Sequence, residues 1–311
     1  MRHHVRRLLM TTVAGVIAAS VAACASEPQA ENPIVIGSKQ FTESVLLGQM
    51  LVIALEEQDI VVLDRTNFGD TKQNRVSLLA GSIDVYPEYN TTGFTVHLGQ
   101  TNPTRDGRLL YQQVAARDLE ENGVRWVGRS PFNNTYGFAS SPETTEQNGW
   151  LPYTFNTMAA FLQANPDAQV CVEPEFVERP DGLVLFEEFV GTPVDPAQLR
   201  QVANAGEVYT LTRNNTCAFG EVFSTDGRVD GYGLTLVEDT GVMLVYNASF
   251  TFRDDTLAQV DRRVVTIAEQ ILAALDDRTM LRLNFEVDLN NRPPSDVARE
   301  YLATLGLAAA R

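Results

Sequence analysis

Short apolar runs alternate with stretches of helical periodicity from residue 34 onward, and that alternation leaves few architectures open. IVIG (34–37), IVVL (60–63), IDVY (83–86) and VRWVG (124–128) read as strands. After the first, Thr42 is placed to cap a helix whose stripe is Val45, Leu46, Met50, Ile53 and Ala54. A second helix should end near Gly81 with Val76, Leu79 and Ala80 inward. Pro87 should limit how far the third strand pairs. A third helix, capped by Asp106 and stopped by Gly123, should bury Leu109, Leu110, Val114 and Leu119. Strands regularly separated by helices predict an α/β fold.

At SPFNNTYGFAS (130–140) helix formers give way to turn residues, which places a crossing between two lobes there. Helices around 154–164 and 181–190 and strands around 169–173 and 219–223 fill the second lobe. VMLVYNAS (242–249) carries the chain back. The remainder reads as helices over 257–275 and 279–287, then a last one with Ser295 as N-cap behind two prolines. The expected division is therefore 34–133 with 246–311 as lobe 1 and 134–245 as lobe 2. Two crossings imply an inter-lobe cleft, a usual place for a small ligand.

The first 23 residues read as a signal peptide: Arg2, Arg6 and Arg7 precede an apolar run too short to span a bilayer. Val21-Ala22-Ala23-Cys24 resembles a bacterial lipobox, so Cys24 is the expected lipid anchor and 24–33 a tether; a soluble secreted form is the alternative. Lys+Arg 24 against Asp+Glu 40 gives a net charge of −16, and removing three arginines with the signal makes it −19. Such a surface argues against nucleic acid and leaves membrane attachment to the lipid alone. Cys171 and Cys217 then remain, either bridged in an oxidising compartment or buried as free thiols.

His97 is the one histidine outside the signal, which leaves little for a Ser-His-Asp site. No Cys/His cluster has zinc spacing, no glycine-rich phosphate loop appears, and no cofactor is expected. Acid pairs such as Glu187-Glu188 and Asp276-Asp277 sit on helical stretches as solvated charge, so a secreted hydrolase is a weak alternative. Polar-aromatic segments are more telling, because they fall at strand ends, where α/β folds present ligands. Each alone has a plain reading: Tyr89 and Tyr136 as core rings, Lys39 as a surface lysine.

Together, GSKQFTE (37–43), LLAGSIDVYPEYNTTG (78–93), NNTYGFA (133–139), EFVERPDG (175–182), VFSTDGR (222–228) with LVED, and LNFEVDLNNRPPSDVA (283–298) resemble the substrate-binding proteins of osmoprotectant ABC importers, the glycine betaine/carnitine/choline type. The resemblance implies a two-lobed type II periplasmic-binding-protein clamshell, each lobe a mixed sheet flanked by helices. It implies an exported monomer, without catalysis, that hands a quaternary-ammonium solute to a permease and its ATPase. Carried over by motif, Tyr89, Tyr136, Phe223 and Tyr246 would form an aromatic cage, with the Asn134 carbonyl toward the cation. Lys39, Thr92 and Arg179 would take the carboxylate of a betaine, and Tyr86 would stay in the core. A quaternary ammonium has no N–H to donate, so ring faces are what can select it. Departures from the pattern are Phe223 where tyrosine is common, a turn glycine displaced to Gly93, and a shortened segment before Tyr246. Choline alone or an amino acid are the alternative ligands.

Overall fold

The computed structural model describes residues 33–309. The signal peptide, Cys24 and all of the tether but Pro33 lie outside the described residues. Two five-stranded mixed sheets organise the described residues, one in each lobe. The first contains β1 (Ile34–Gly37), β2 (Val62–Arg65), β3 (Val85–Tyr89), β4 (Val124–Val127) and β10 (Ala248–Arg253), in the order β2-β1-β3-β10-β4. The second contains β5 (Tyr136–Ser140), β6 (Val170–Val172), β7 (Leu199–Gln201), β8 (Phe219–Phe223) and β9 (Thr235–Leu236), in the order β7-β6-β8-β5-β9. Parallel pairing holds β1 to β2 and β3, and β6 to β7 and β8. One strand runs against its neighbours in each sheet: β10 between β3 and β4, and β5 between β8 and β9.

Helix Thr42–Glu56 is buried on nearly every side, from Leu46 through Leu55, rather than along one stripe. Its N-cap is Phe41; Thr42 is already helical and its hydroxyl donates to Asp288 at 2.5 Å. The second helix, Thr71–Leu79, turns a different face inward than the apolar pattern predicts. Val76 and Leu79 are about half exposed, whereas Asn74, Arg75 and Leu78 are buried. Arg75 enters the interior because Asp118 receives its guanidinium, and Asp118 also accepts from Trp126 Nε1 at 2.8 Å. A paired and hydrogen-bonded charge can occupy a core position that hydropathy would deny it. Asp106 caps helix Gly107–Asn122 through the amides of Arg108 and Leu109, and Gly123 closes it at φ 64°. Leu109 on that helix is exposed, while Leu110 and Val114 are buried.

β2 starts two residues later than IVVL, at a solvated edge. β3 runs through Pro87 to Tyr89, since its register with β1 ends at Val85 and the missing amide breaks no bond there. Gly93 makes no turn; it lies in a helical stretch where a Cβ would fall within 2.6 Å of the Trp126 ring. The single helix expected over 257–275 is two, Asp254–Leu257 and Arg263–Ala273. Helix Pro294–Thr304 has Pro293 as N-cap, so Ser295 lies inside it. Among the described residues no helix is long and apolar enough to cross a membrane.

Cys171 in β6 and Cys217 just before β8 are joined, with S–S 2.04 Å. The bridge closes a loop with a sequence separation of 46. Replacing both cysteines with serine should cost about 2–4 kcal/mol of unfolding free energy, measured by urea denaturation. An unchanged midpoint would mean the bridge is energetically idle.

Candidate functional site

The carboxyl ends of β1, β3, β6 and β8 point toward one cleft, and the reversed strands bring in two more chain segments. Register sets the neighbours: Tyr136 at the start of β5 lies opposite Phe223 at the end of β8. Tyr89, ending β3, lies opposite Ala248, so Tyr246 reaches the same edge two residues earlier. These ends surround a cavity of about 80 Å³, several times the roughly 10–15 Å³ that one water needs. Lys39, Tyr89, Thr92, Asn134, Tyr136, Arg179, Phe223 and Tyr246 all line it. All eight positions singled out from the sequence therefore meet there.

The rings form a continuous arc. Phe41 stacks on Phe223 at 5.8 Å and 15°, and lies 6.1 Å from Tyr89. Tyr136 is 5.1 Å from Phe223, 5.0 Å from Phe176, and edge-on to Tyr246 at 5.5 Å. Phe41 and Phe176 are cavity residues that the sequence reading passed over, although both lie in segments it had marked. A phenylalanine before a helix looks like any core residue, and only the register shows where it points.

Both cations of the wall are matched to buried carboxylates. Lys39 Nζ is 2.6 Å from Glu88 Oε1, and Glu88 also accepts from the Tyr86 hydroxyl at 3.0 Å and meets His97 Nε2 at 2.8 Å. Burial alone would raise the Glu88 pKa; Lys39 and His97 overturn that and hold it well below the carboxylate range. Tyr86 is fully buried beneath this network, as a core tyrosine. Arg179 makes a two-point pair with Asp181, through Nε at 2.8 Å and Nη2 at 2.7 Å. Its Nη1 reaches Glu175 at 2.9 Å, and Nη2 donates to Thr92 Oγ1 at 3.1 Å. Asp181 also accepts from Thr95 at 2.8 Å and from the Tyr246 hydroxyl at 2.9 Å, so it binds both lobes.

Beneath the arc lies Glu43. Its Oε1 accepts from the Tyr89 hydroxyl at 2.6 Å and Asn134 Nδ2 at 2.8 Å. Oε2 accepts from Thr225 at 2.5 Å and Asn284 Nδ2 at 3.2 Å. Desolvation raises its pKa, and the four hydrogen bonds offset only part of that. With its amide nitrogen so committed, Asn134 leaves Oδ1 buried and without a hydrogen-bond partner among the described residues. The opposite wall is acidic. Glu221, fully buried, accepts from the Glu173 amide at 2.8 Å. Desolvation and then Glu175 push Glu173 up to about 7, while desolvation and then Glu173 push Glu221 well above its ordinary value. No group of three or more His, Cys, Asp or Glu is placed to hold a metal among the described residues.

A family model described as the substrate-binding domain of ABC-type glycine betaine transport systems matches residues 32–304. A glycine-betaine-binding protein of Pseudomonas aeruginosa is 31% identical over 301 residues, covering 95% of this chain and 93% of that protein. The glycine betaine-binding protein YehZ of Escherichia coli is 27% identical over 288 residues, covering 89% and 92%. The solved structure of apo YehZ superposes with a TM-score of 0.65 at 25% identity, covering 89% of this chain and all of that one, 100%.

The acidic wall has a pH consequence. Carboxyls held above their ordinary range favour the folded state below about 4.3, and that contribution is lost as pH rises through about 7, the Glu173 value. Glu221→Gln should therefore raise Tm at pH 8 and change it little at pH 5. A Tm gain equal at both pH values would contradict this.

Proposed function

The chain belongs to the family of substrate-binding domains of ABC-type glycine betaine transport systems, and we propose that its inter-lobe cavity takes a compact quaternary-ammonium zwitterion such as glycine betaine. It is an extracytoplasmic binding protein of an importer, not an enzyme, and its work is capture and delivery to the permease and ATPase. The observation that carries the ligand reading is the arc of Tyr89, Phe41, Phe223, Tyr136 and Tyr246 around one cavity, with the unpartnered Asn134 carbonyl beside it. A methylated ammonium has no N–H to donate, so ring faces and the dipoles of nearby oxygens are what attract it. A desolvated ring contact contributes ~2 kcal/mol.

Lys39, Thr92 and Arg179 receive the carboxylate. Lysine has three donors and arginine five, and the bonds to Glu88, Asp181, Glu175 and Thr92 leave donors over. Charge matching at both cations favours a second reading, a choline-like cation with no carboxylate. Residues 34–133 with 246–311 form one closing body and 134–245 the other. Closure is a population shift driven by contacts that only the closed state makes. Cys24 carries the lipid that anchors the protein as a monomer at the outer face of the membrane.

Titration calorimetry with glycine betaine, carnitine and choline tests the ligand. Tyr89→Ala should weaken binding at least about tenfold, roughly 1.4 kcal/mol. Heat from none of these titrants overturns the reading. Arg179→Ala should weaken glycine betaine more than choline; equal losses would make Arg179 a brace between the lobes and nothing more.

A further inference from the structure

Glu43 is a buried carboxylate whose partners are all neutral: a phenol, two amides and a threonine hydroxyl. Glu88 and Asp181 beside the same cavity each have a cation. Among the described residues no lysine, arginine or histidine pairs with Glu43. A charge sealed from water without a counterion is costly, and proteins remove that cost by neutralising the group or supplying the opposite charge. Two of its hydrogen bonds lead to the cavity wall. The Tyr89 hydroxyl donates to it, which makes that ring more electron-rich, and the Asn134 amide is turned so that its oxygen is left unpartnered.

We propose that Glu43 is the countercharge of the captured cation, acting through the Tyr89 ring and the Asn134 amide, and that capture drives its proton into solvent. The inference rests on the quaternary-ammonium reading of the cavity. Glu43 in its acid form, donating to the Tyr89 or Thr225 hydroxyl in place of one bond that it accepts, loses H⁺ to the buffer as the ligand's ammonium enters. With choline the net charge of the site is unchanged, and with zwitterionic glycine betaine it becomes one unit more negative. Its raised pKa in the empty protein agrees with this, because a neighbouring cation lowers it again. Affinity should then fall as pH drops through the pKa of the empty site. Other groups packed around Glu43 are Tyr89 on β3, Asp226 and Arg228 after β8, and Asp288 on helix Asp277–Asp288. Asp226 pairs with Arg228, Arg228 lies 3.6 Å from Asp288, and Asp288 sits near 6, raised by burial. Glu173 and Glu221, which line the cavity, also have raised pKa values, so the Glu43-dependent share of the protons is the readout.

Calorimetry on the purified chain with glycine betaine and with choline, from pH 5 to 8 in two buffers of different ionisation enthalpy, reads the protons directly. The parent protein should release a fraction of a proton per ligand. Glu43→Gln should remove most of that release and weaken binding about tenfold at pH 8, with the gap closing by pH 5. Asp288→Asn should leave the release in place. An equal loss at every pH, or an unchanged proton count, makes Glu43 a structural prop and overturns the proposal. Should Glu43→Gln not fold, Thr225→Val removes a donor that stabilises the carboxylate and should move the release midpoint to higher pH; an unmoved midpoint is equally fatal. Heat without Glu43-dependent protons removes this inference alone, whereas no heat from either titrant removes the ligand reading beneath it.

Discussion

One reversed strand in each sheet decides where everything else can meet. A wholly parallel sheet would place only the carboxyl ends of its strands at the cleft. β5 and β10 run the other way, so their beginnings arrive there too. Tyr136 and Tyr246 come from those beginnings, Tyr89 and Phe223 from the ends of the strands beside them. The arc of rings is thus a product of register, and a one-residue slip would turn its members to opposite faces.

Electrostatics around the cavity follow a single rule, that charge taken out of water must be matched. Lys39 and Glu88, Arg179 and Asp181, and Arg75 and Asp118 all obey it. Glu173 and Glu221 answer it differently, by holding on to a proton. The pairs that obey it also hold the site in shape: Asp181 ties Thr95 from one lobe to Arg179 from the other. The same residues that could greet a ligand therefore brace the scaffold.

Six of the ten strands among the described residues and the caps at Asp106 and Gly123 could be read from local periodicity, whereas the eight cavity residues came from the resemblance of their motifs to a known family. What escaped notice depends on partners far away in sequence. Arg75 is buried only because Asp118, which also accepts from Trp126, waits for it, so the helix turned away from the face that Val76 and Leu79 suggested. Thr42 gave up its cap position to reach Asp288, and Gly93 is small on account of Trp126. Glu43 resembled any acidic residue in the first turn of a helix. Its importance lies in Tyr89, Asn134, Thr225 and Asn284, which no local pattern links to it.

The placement of β10 reaches into biogenesis. Every strand of the second sheet lies between 136 and 236, so that half can close as soon as its own stretch has emerged. The first sheet cannot: β3 and β4 stay apart until Ala248–Arg253 slides between them, and helix Thr42–Glu56 waits longer still for Pro294–Thr304 to cover it. The part made earliest is finished last. Until those segments arrive, the first sheet has an open, apolar seam, exposed surface of the kind that favours aggregation.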